Sequence, residues 1–281
     1  MKSRVITSVA ILSCALLVVI FSKYIVYPIA IAILAIVGVF EILRVIGVHK
    51  KYALAIPAYM IAALFPIAAY FVEQGSIVSY LLGLAASIFI YLIWLMGVSV
   101  FSRGKVAFSK VSEAFAAVTY VTVSCCSLSL LRYLNNDYGV FFVVLVFVVA
   151  WICDVFAYLV GSLIGKQNLI PEVSPKKTVE GAIGGVVFSA LLSLVYGVGL
   201  DFIVKSIDVN YFRLFLFGAV LSVVSQLGDL IASLIKREYG VKDYSNIFPG
   251  HGGVMDRFDS VLAVSTILLI LSIVFPPFVA G

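Results

Sequence analysis

The densest group of residues able to do chemistry lies in a polar segment, residues 233–259, between two long apolar stretches. It holds four basic residues, four acidic residues, one of the two histidines and three clustered glycines. Lys and Arg bind phosphate, carboxylates bind hard divalent cations, and glycine lets backbone amides approach an anion. So much charge beside apolar stretches predicts a metal–phosphate site that faces lipid headgroups.

Two further acidic residues lie inside apolar runs. Asp154 interrupts VVAWICDVFAYLVGSLIG, and Asp229 interrupts VVSQLGDLIASLI. An ionisable residue inside a membrane-spanning helix is costly and usually faces a cavity or a partner. At helical spacing after Asp229 come Ser233, Lys236 and Arg237, so one helix face connects a buried acid to cations. The alternative for both acids is a purely structural bond to a neighbouring hydroxyl or Lys.

The loop before the last apolar stretch reads Pro249-Gly250-His251-Gly252-Gly253, and its glycines allow backbone conformations that cradle an anion. Asp256 and Asp259 then share one face of the next helix. If they met Asp229 at one membrane boundary, the three carboxylates would repel one another unless a cation lay between them. Oxygen ligands favour Mg²⁺ over zinc. Two alternatives stay open: Asp259 either joins the metal site or serves only the helix dipole, and His251 either donates to a phosphate or braces the loop.

The composition excludes an ordinary soluble protein. Of the 281 residues, 63% are hydrophobic and 12% are charged, with a mean hydropathy of +1.19. Apolar stretches of roughly 18 or more residues predict membrane-spanning helices, and the long stretches lack the alternation of a membrane β-barrel. The predicted fold class is therefore an all-α, polytopic integral membrane protein. About nine transmembrane helices are predicted, at residues 5–22, 26–47, 53–72, 77–100, 114–133, 139–163, 180–200, 211–235 and 259–279.

The basic residues set the predicted orientation, because Lys and Arg in short loops mark the cytoplasmic side of a membrane protein. With the N-terminus inside, 15 of the 19 Lys and Arg residues fall on the cytoplasmic side and 4 on the other. The predicted topology is N-in and C-out, which places both polar loops in the cytoplasm.

Other polar and small residues predict packing rather than chemistry. Glu41 and Arg44 lie three apart near a helix end, where an ordinary ion pair is expected. Asp154 and Tyr158 share a helix face that Gly161 continues, and this glycine, with Gly165, is typical of close helix packing. The four cysteines fall in apolar stretches and are expected to be small buried hydrophobic residues.

The charged and glycine positions resemble the signature of the phosphatidate cytidylyltransferases, also called CDP-diacylglycerol synthases. The resemblance is specific over roughly residues 150–260, and before that only the hydropathy is similar. The main motif reads Ser233-x-x-Lys236-Arg237, Lys242-Asp243 and Pro249-x-His251-Gly252-Gly253-x-x-Asp256-Arg257-x-Asp259. The companion motif reads Asp154, then Ser174-Pro175-Lys176-Lys177-Thr178-x-Glu180-Gly181.

The resemblance implies an enzyme of the bacterial cytoplasmic membrane that joins CTP to phosphatidic acid, giving CDP-diacylglycerol and pyrophosphate. It implies Mg²⁺ as cofactor, with a second cation left open, and a homodimer with a polar, cytoplasm-facing cavity that opens sideways to lipid. Asp229 and Asp256 would bind the metal. The implied catalytic residues are Asp229, Asp256, Asp259, Lys236, Arg237 and Arg257. The implied substrate-binding residues are Ser233, Lys242, His251, Gly252, Gly253, Lys176, Lys177, Thr178 and Asp154.

On this interpretation the chain divides into N-terminal transmembrane helices (1–140), for topology and for lipid or dimer packing, and a C-terminal catalytic region (141–281) with two polar cytoplasmic loops. The partners expected are the two substrates, the bilayer and a second copy, and no nucleic acid. Two other classes of protein remain as alternative interpretations of the sequence. A lipid kinase or related phosphotransferase would use the same metal–phosphate chemistry with an alcohol acceptor. An ion-coupled transporter would explain the two buried acids but not the GHGG loop or the cations near it.

Overall fold

A computed structural model describes residues 13, 16–72, 76–103, 105–134, 138–248, 250 and 252–280. The chain is mostly helical, and eight helices in these ranges are long and apolar enough to cross a membrane. This confirms the prediction of a helical protein with many apolar spans. Most of the first predicted span, 5–22, lies outside the described residues, although 16–20 are helical. The count of nine and the orientation therefore stay predictions.

The helices follow the predicted spans closely, and differ mainly at their ends. The helix predicted from residue 114 begins at Phe108, and the last begins at Met255 rather than at 259. Both extensions contain charged residues, which the hydropathy pattern assigns to loops. The helices are α1 (Val26–Ile46), α2 (Tyr52–Ala68, continued by a 3₁₀ turn at Ala69–Phe71), α3 (Ile77–Phe101), α4 (Phe108–Tyr133), α5 (Gly139–Ile164), α6 (Val179–Ile203), α7 (Tyr211–Glu238) and α8 (Met255–Val274).

Two small antiparallel sheets interrupt the helical pattern, and neither was predicted. In the first, β1 (Asn168–Ile170) pairs with β2 (Ser174–Thr178) between α5 and α6. In the second, β3 (Ile207–Val209) pairs with β4 (Phe278–Ala280). Strands of three to five residues are too short to show the alternation by which strands are predicted.

The chain forms two compact units, and the first comprises residues 1–139 and 238–257. Within it, α1 packs against α2 and α4. Small side chains on α2, at Ala55, Ala58 and Ala62, are fully buried and allow close helix packing. The hydroxyl of Tyr27 donates to the carbonyl oxygen of Leu128 at 3.0 Å and links α1 to α4. Residues 238–257 carry part of the signature.

The second unit comprises residues 140–237 and 258–281 and is held together by close helix contacts at glycines. A Cβ added at Gly161 would lie 3.5 Å from the Cα of Gly181, so α5 and α6 touch backbone to backbone there. This contact supports the predicted packing role of Gly161. Cys153 is buried and free, as are Cys125 and Cys126 in the first unit, which confirms the expectation for three of the four cysteines. Cys14 lies outside the described residues.

The α5–α6 contact gives a stability prediction at Gly184. A Cβ at this position would lie 2.7 Å from the Cβ of Val160, whereas nothing lies within 4 Å of a Cβ added at Gly199 on the same helix. Gly184→Ala should therefore destabilise the protein by about 1–3 kcal/mol through overpacking. Gly199→Ala should change the stability by no more than about 1 kcal/mol.

Thermal unfolding of both variants in the same detergent measures this difference. A melting temperature of Gly184→Ala at or above that of Gly199→Ala would contradict the close packing of α5 on α6.

Candidate active site

Asp229 lies two turns before the end of α7 and is paired with a cation. One of its carboxylate oxygens lies 2.5 Å from the ammonium nitrogen of Lys177, and both side chains keep 28% of their surface exposed. The other oxygen accepts a hydrogen bond of 3.4 Å from the hydroxyl of Ser233, one turn further along α7. Lys236 and Arg237 follow in the last turn, where positive charge complements the helix dipole. The predicted helix face is therefore present and meets a cation from β2.

This ion pair lines a cavity of about 220 Å³, called the polar cavity below, whose walls come from α5, β1, β2, α6 and α7. Ligand sites for drug-sized molecules are roughly 300–1,000 Å³, so this volume suits phosphate groups rather than a whole nucleotide. Two acids and two cations face the same space. The polar lining residues are Asp154, Tyr158, Lys176, Lys177, Thr178, Gln226 and Asp229. The structure thus brings four of the predicted substrate-binding residues together with Asp229.

The position of Thr178 shows how the local sequence builds this cavity. Thr178 precedes α6 and its hydroxyl accepts a hydrogen bond of 3.1 Å from the amide of Gly181, which caps the helix. The cap fixes the end of β2, and therefore the lysines at 176 and 177, beside the start of α6. The polar loop of the companion motif is thus a hairpin that presents its lysines to the cavity.

Asp259 lies close to this group of charges. It is 8% exposed, its carboxylate accepts a hydrogen bond of 2.8 Å from the amide of Ser260, and it interacts electrostatically with Asp229, Asp154 and Lys236. A Cβ added at Gly228 would lie 2.8 Å from the carbonyl oxygen of Asp259, so α7 and α8 touch there. The glycine preceding Asp229 is therefore what allows the two acids to approach.

An apolar groove of about 440 Å³ lies next to the polar cavity. The two share Leu169, Ala182 and Gln226 in their walls. Aliphatic side chains of α6 and α7, including Val187 and Leu227, form most of the groove. The polar cavity and the apolar groove thus form one continuous surface between the start of α6 and the second half of α7.

Asp256 belongs to the first unit, at the start of α8, and is held by backbone amides. One of its oxygens accepts hydrogen bonds from the amide of Tyr244 at 2.8 Å and from the amide of Gly253 at 2.9 Å. Gly252 has a φ of +80°, and a Cβ there would lie 2.7 Å from the same carboxylate oxygen. Gly250 also has a positive φ, of 77°. The glycine loop was predicted to adopt backbone conformations that glycine allows, and the positive φ angles of Gly250 and Gly252 confirm this at two positions.

The remaining predicted residues are distributed as follows. Lys242 and Arg257 are exposed and lie in the first unit with Gly252 and Gly253. Arg237 is exposed, and its side chain donates to the carbonyl oxygen of Val173 at 3.4 Å. His251 lies outside the described residues, so its role stays a prediction.

Sequence reasoning missed two polar residues. Gln226 lines the cavity one turn before Asp229, and its amide donates to the carbonyl oxygen of Ala182 at 3.1 Å. Its position within an apolar run was the available signal. The expected Glu41–Arg44 ion pair is wrong: Arg44 is exposed, while Glu41 is fully buried and accepts hydrogen bonds from Ser245, Val254 and Met255. A partner more than 200 positions away leaves no local trace in the sequence.

The donors available for a metal are carboxylate oxygens. Among the described residues, no three His, Cys, Asp or Glu side chains form a ready-made metal site. Mg²⁺ is commonly held by only one or two carboxylates together with substrate phosphates, so a full protein cage is not needed. The Lys177 ammonium group on Asp229 shows that this carboxylate already pairs with a cation. The donor set therefore fits Mg²⁺.

Comparison with known proteins agrees with the geometry. The sequence model described as "Cytidylyltransferase family" matches residues 2–275. The chain is 35% identical over 284 aligned residues to a phosphatidate cytidylyltransferase of Bacillus subtilis, with 98% of each chain covered. It is 38% identical to one of Staphylococcus epidermidis, covering 68% of each, and 37% identical to one of Staphylococcus saprophyticus. That last match spans 64% of this chain and 65% of the length of its relative. The chain belongs to the cytidylyltransferase family.

Proposed function

We propose that the protein is a phosphatidate cytidylyltransferase, which transfers CMP from CTP to phosphatidic acid in phospholipid biosynthesis. The products are CDP-diacylglycerol and pyrophosphate. The observation that carries the proposal is the polar cavity around the Lys177–Asp229 pair, which adjoins an apolar groove in a largely apolar helical protein. A water-soluble nucleotide and a lipid could both reach such a site. The printed names of the relatives support the same reaction for this chain.

The reaction needs charge neutralisation more than a strong base. A phosphate oxygen of phosphatidic acid forms a bond to the α-phosphorus of CTP, the bond from that phosphorus to the β-phosphate oxygen breaks, and pyrophosphate leaves. The attacking oxygen is already ionised, so no proton has to be removed from it. Both reactants are anions, and catalysis of phosphoryl transfer rests on positioning and on neutralising charge. Lys176 and Lys177 in the cavity, with Lys236 near Asp259, can supply that positive charge.

The apolar groove is where an acyl chain of the lipid substrate would bind. With its phosphate in the polar cavity, phosphatidic acid could lay an acyl chain against Val187 and Leu227, because the groove shares three wall residues with the cavity. Burying each CH₂ group would contribute about 0.8 kcal/mol relative to water, although much less relative to lipid. The groove therefore serves orientation of the lipid rather than affinity.

We propose Asp229 and Asp256 as the residues that hold Mg²⁺, with Asp259 close to Asp229. The proposal rests on the motif, on the all-oxygen donors and on the cation already paired with Asp229. When bound, the ion would neutralise phosphate charge and orient the phosphates for in-line transfer. Lys177 can leave Asp229 for a substrate phosphate, since both side chains of the pair are partly exposed and such pairs contribute little stability.

The location and assembly are also proposals. The excess of Lys and Arg on one side supports an N-in, C-out topology in the cytoplasmic membrane, with the active site facing the cytoplasm. Assembly as a homodimer rests on the family resemblance alone.

The test of the function is a product assay. Purified protein in detergent micelles is incubated with phosphatidic acid, Mg²⁺ and CTP labelled at the α-phosphate. A cytidylyltransferase yields labelled CDP-lipid and unlabelled pyrophosphate in equal amounts. Release of labelled CDP, without label in the lipid, would identify a kinase and overturn the proposal, and the absence of any conversion would likewise count against it.

Asp256, the proposed metal ligand at the start of α8, gives a further prediction. Asp256→Asn should lower the rate of CDP-lipid formation at least about 100-fold, because the neutral amide is a poor ligand for Mg²⁺. The matched control is Asp201→Asn, which removes the same charge from an exposed residue at the end of α6. That variant should keep its activity within about twofold, since surface substitutions away from a site have small effects.

Both variants are compared at equal amounts of monodisperse protein. Wild-type activity in Asp256→Asn would remove Asp256 from the proposed metal site.

A further inference from the structure

Glu41 on α1 is the most completely enclosed carboxylate among the described residues, with no exposed surface. Both of its oxygens are occupied by donors from the polar segment that carries the signature. One oxygen accepts from the hydroxyl of Ser245 at 2.5 Å and from the amide of Val254 at 3.0 Å. The other accepts from the amide of Met255 at 2.8 Å. A buried carboxylate with three donors is satisfied by the protein alone.

The amide donors lie at the start of α8, which begins at Met255. The first amides of a helix have no partner within the helix and carry partial positive charge. Such amides are usually capped by a side chain a few residues earlier in the chain. Here α1 supplies the cap from more than 200 positions away. The place where α8 begins is therefore fixed by α1.

Asp256 is part of the same hydrogen-bond arrangement. Three consecutive amides, those of Gly253, Val254 and Met255, donate to carboxylates, the first to Asp256 and the other two to Glu41. If Glu41 did not accept from Val254 and Met255, these amides would compete for the carboxylate of Asp256. The acceptor at Glu41 therefore determines how the carboxylate of Asp256 is directed.

Steric contacts reinforce this arrangement. A Cβ added at Gly253 would lie 2.6 Å from the carboxylate carbon of Glu41, so only glycine fits there. A Cβ added at Gly38, one turn before Glu41 on α1, would lie 3.2 Å from the sulfur of Met255. Backbone and side chain leave the start of α8 little room to move relative to α1.

We propose that Glu41 is a positioning residue for the cytidylyl transfer: by holding the amides at the start of α8 it keeps the carboxylate of Asp256, the proposed metal ligand, in place. This inference rests on the proposed function and on the role proposed there for Asp256. Partners that orient metal ligands commonly change metal affinity or activity by about 10–100-fold when they are substituted. Glu41 should therefore act on the Mg²⁺ requirement and not only on stability.

The test is Glu41→Gln, which keeps the shape of the side chain but turns one acceptor oxygen into an NH₂ group that faces a donor. The rate at saturating substrates should fall about tenfold or more, and the Mg²⁺ concentration for half-maximal activity should rise about tenfold. The matched control is Glu113→Gln in the same unit, whose carboxylate pairs with Lys110 and Tyr239. Its Mg²⁺ requirement should equal that of the wild type.

The results of these assays distinguish a failure of the inference about Glu41 from a failure of the proposed function. Loss of activity and a lower melting temperature, with an unchanged Mg²⁺ requirement, would make Glu41 merely structural and overturn the inference. Should Glu41→Gln fail to fold, Glu41→Asp keeps the charge but draws the carboxylate back by one CH₂ from the amides of Val254 and Met255; an unchanged Mg²⁺ requirement there would also overturn it. A wild-type protein that makes no CDP-lipid would instead contradict the proposed function.

Discussion

Carboxylates enclosed by an apolar helical protein must each find hydrogen-bond donors or a cation, and this requirement organises both units of the chain. An unpaired buried charge costs several kcal/mol, so no such group can be left alone. Glu41 and Asp256 are satisfied by backbone amides and a hydroxyl. Asp229 is satisfied by the ammonium group of Lys177 and the hydroxyl of Ser233. These contacts tie the start of α8, the glycine loop and the β1–β2 hairpin to the carboxylates.

The two kinds of partner have different chemical consequences. Backbone amides cannot leave, so the carboxylate of Glu41 is held permanently and is suited to fixing geometry. A lysine on a short hairpin can exchange one anion for another, so the Asp229 carboxylate remains available to a metal and Lys177 to a phosphate. Since Lys177 and Asp229 are partly exposed, separating them costs far less than separating a fully buried pair. On the proposed function, Lys177 exchanges Asp229 for a substrate phosphate, while the amide hydrogen bonds keep the glycine loop in its conformation.

The membrane spans and several residues of the cavity could be predicted from the sequence, because the signals that mark them are local. Long apolar runs predicted the spans, and an acid inside such a run marked Asp229 and Asp154, both of which line the cavity. The lysines of the companion motif, which the resemblance assigns to substrate binding, line the same cavity. The hydrogen bonds of Glu41 could not be predicted, because its donors lie some 200 positions away and an i, i+3 pair with Arg44 was the nearer explanation. The β1–β2 hairpin was missed because its strands are too short for a recognisable period.

Metal binding, rather than turnover, shows whether carboxylates of the signature hold the divalent ion. Mn²⁺ can replace Mg²⁺ at oxygen sites. Electron paramagnetic resonance follows the concentration of free Mn²⁺ while Mn²⁺ is titrated into the purified protein in the presence of CTP. We expect the wild type to bind Mn²⁺, and Asp229→Asn and Asp256→Asn each to weaken binding at least about tenfold. Wild-type affinity for Mn²⁺ in both variants would contradict this expectation.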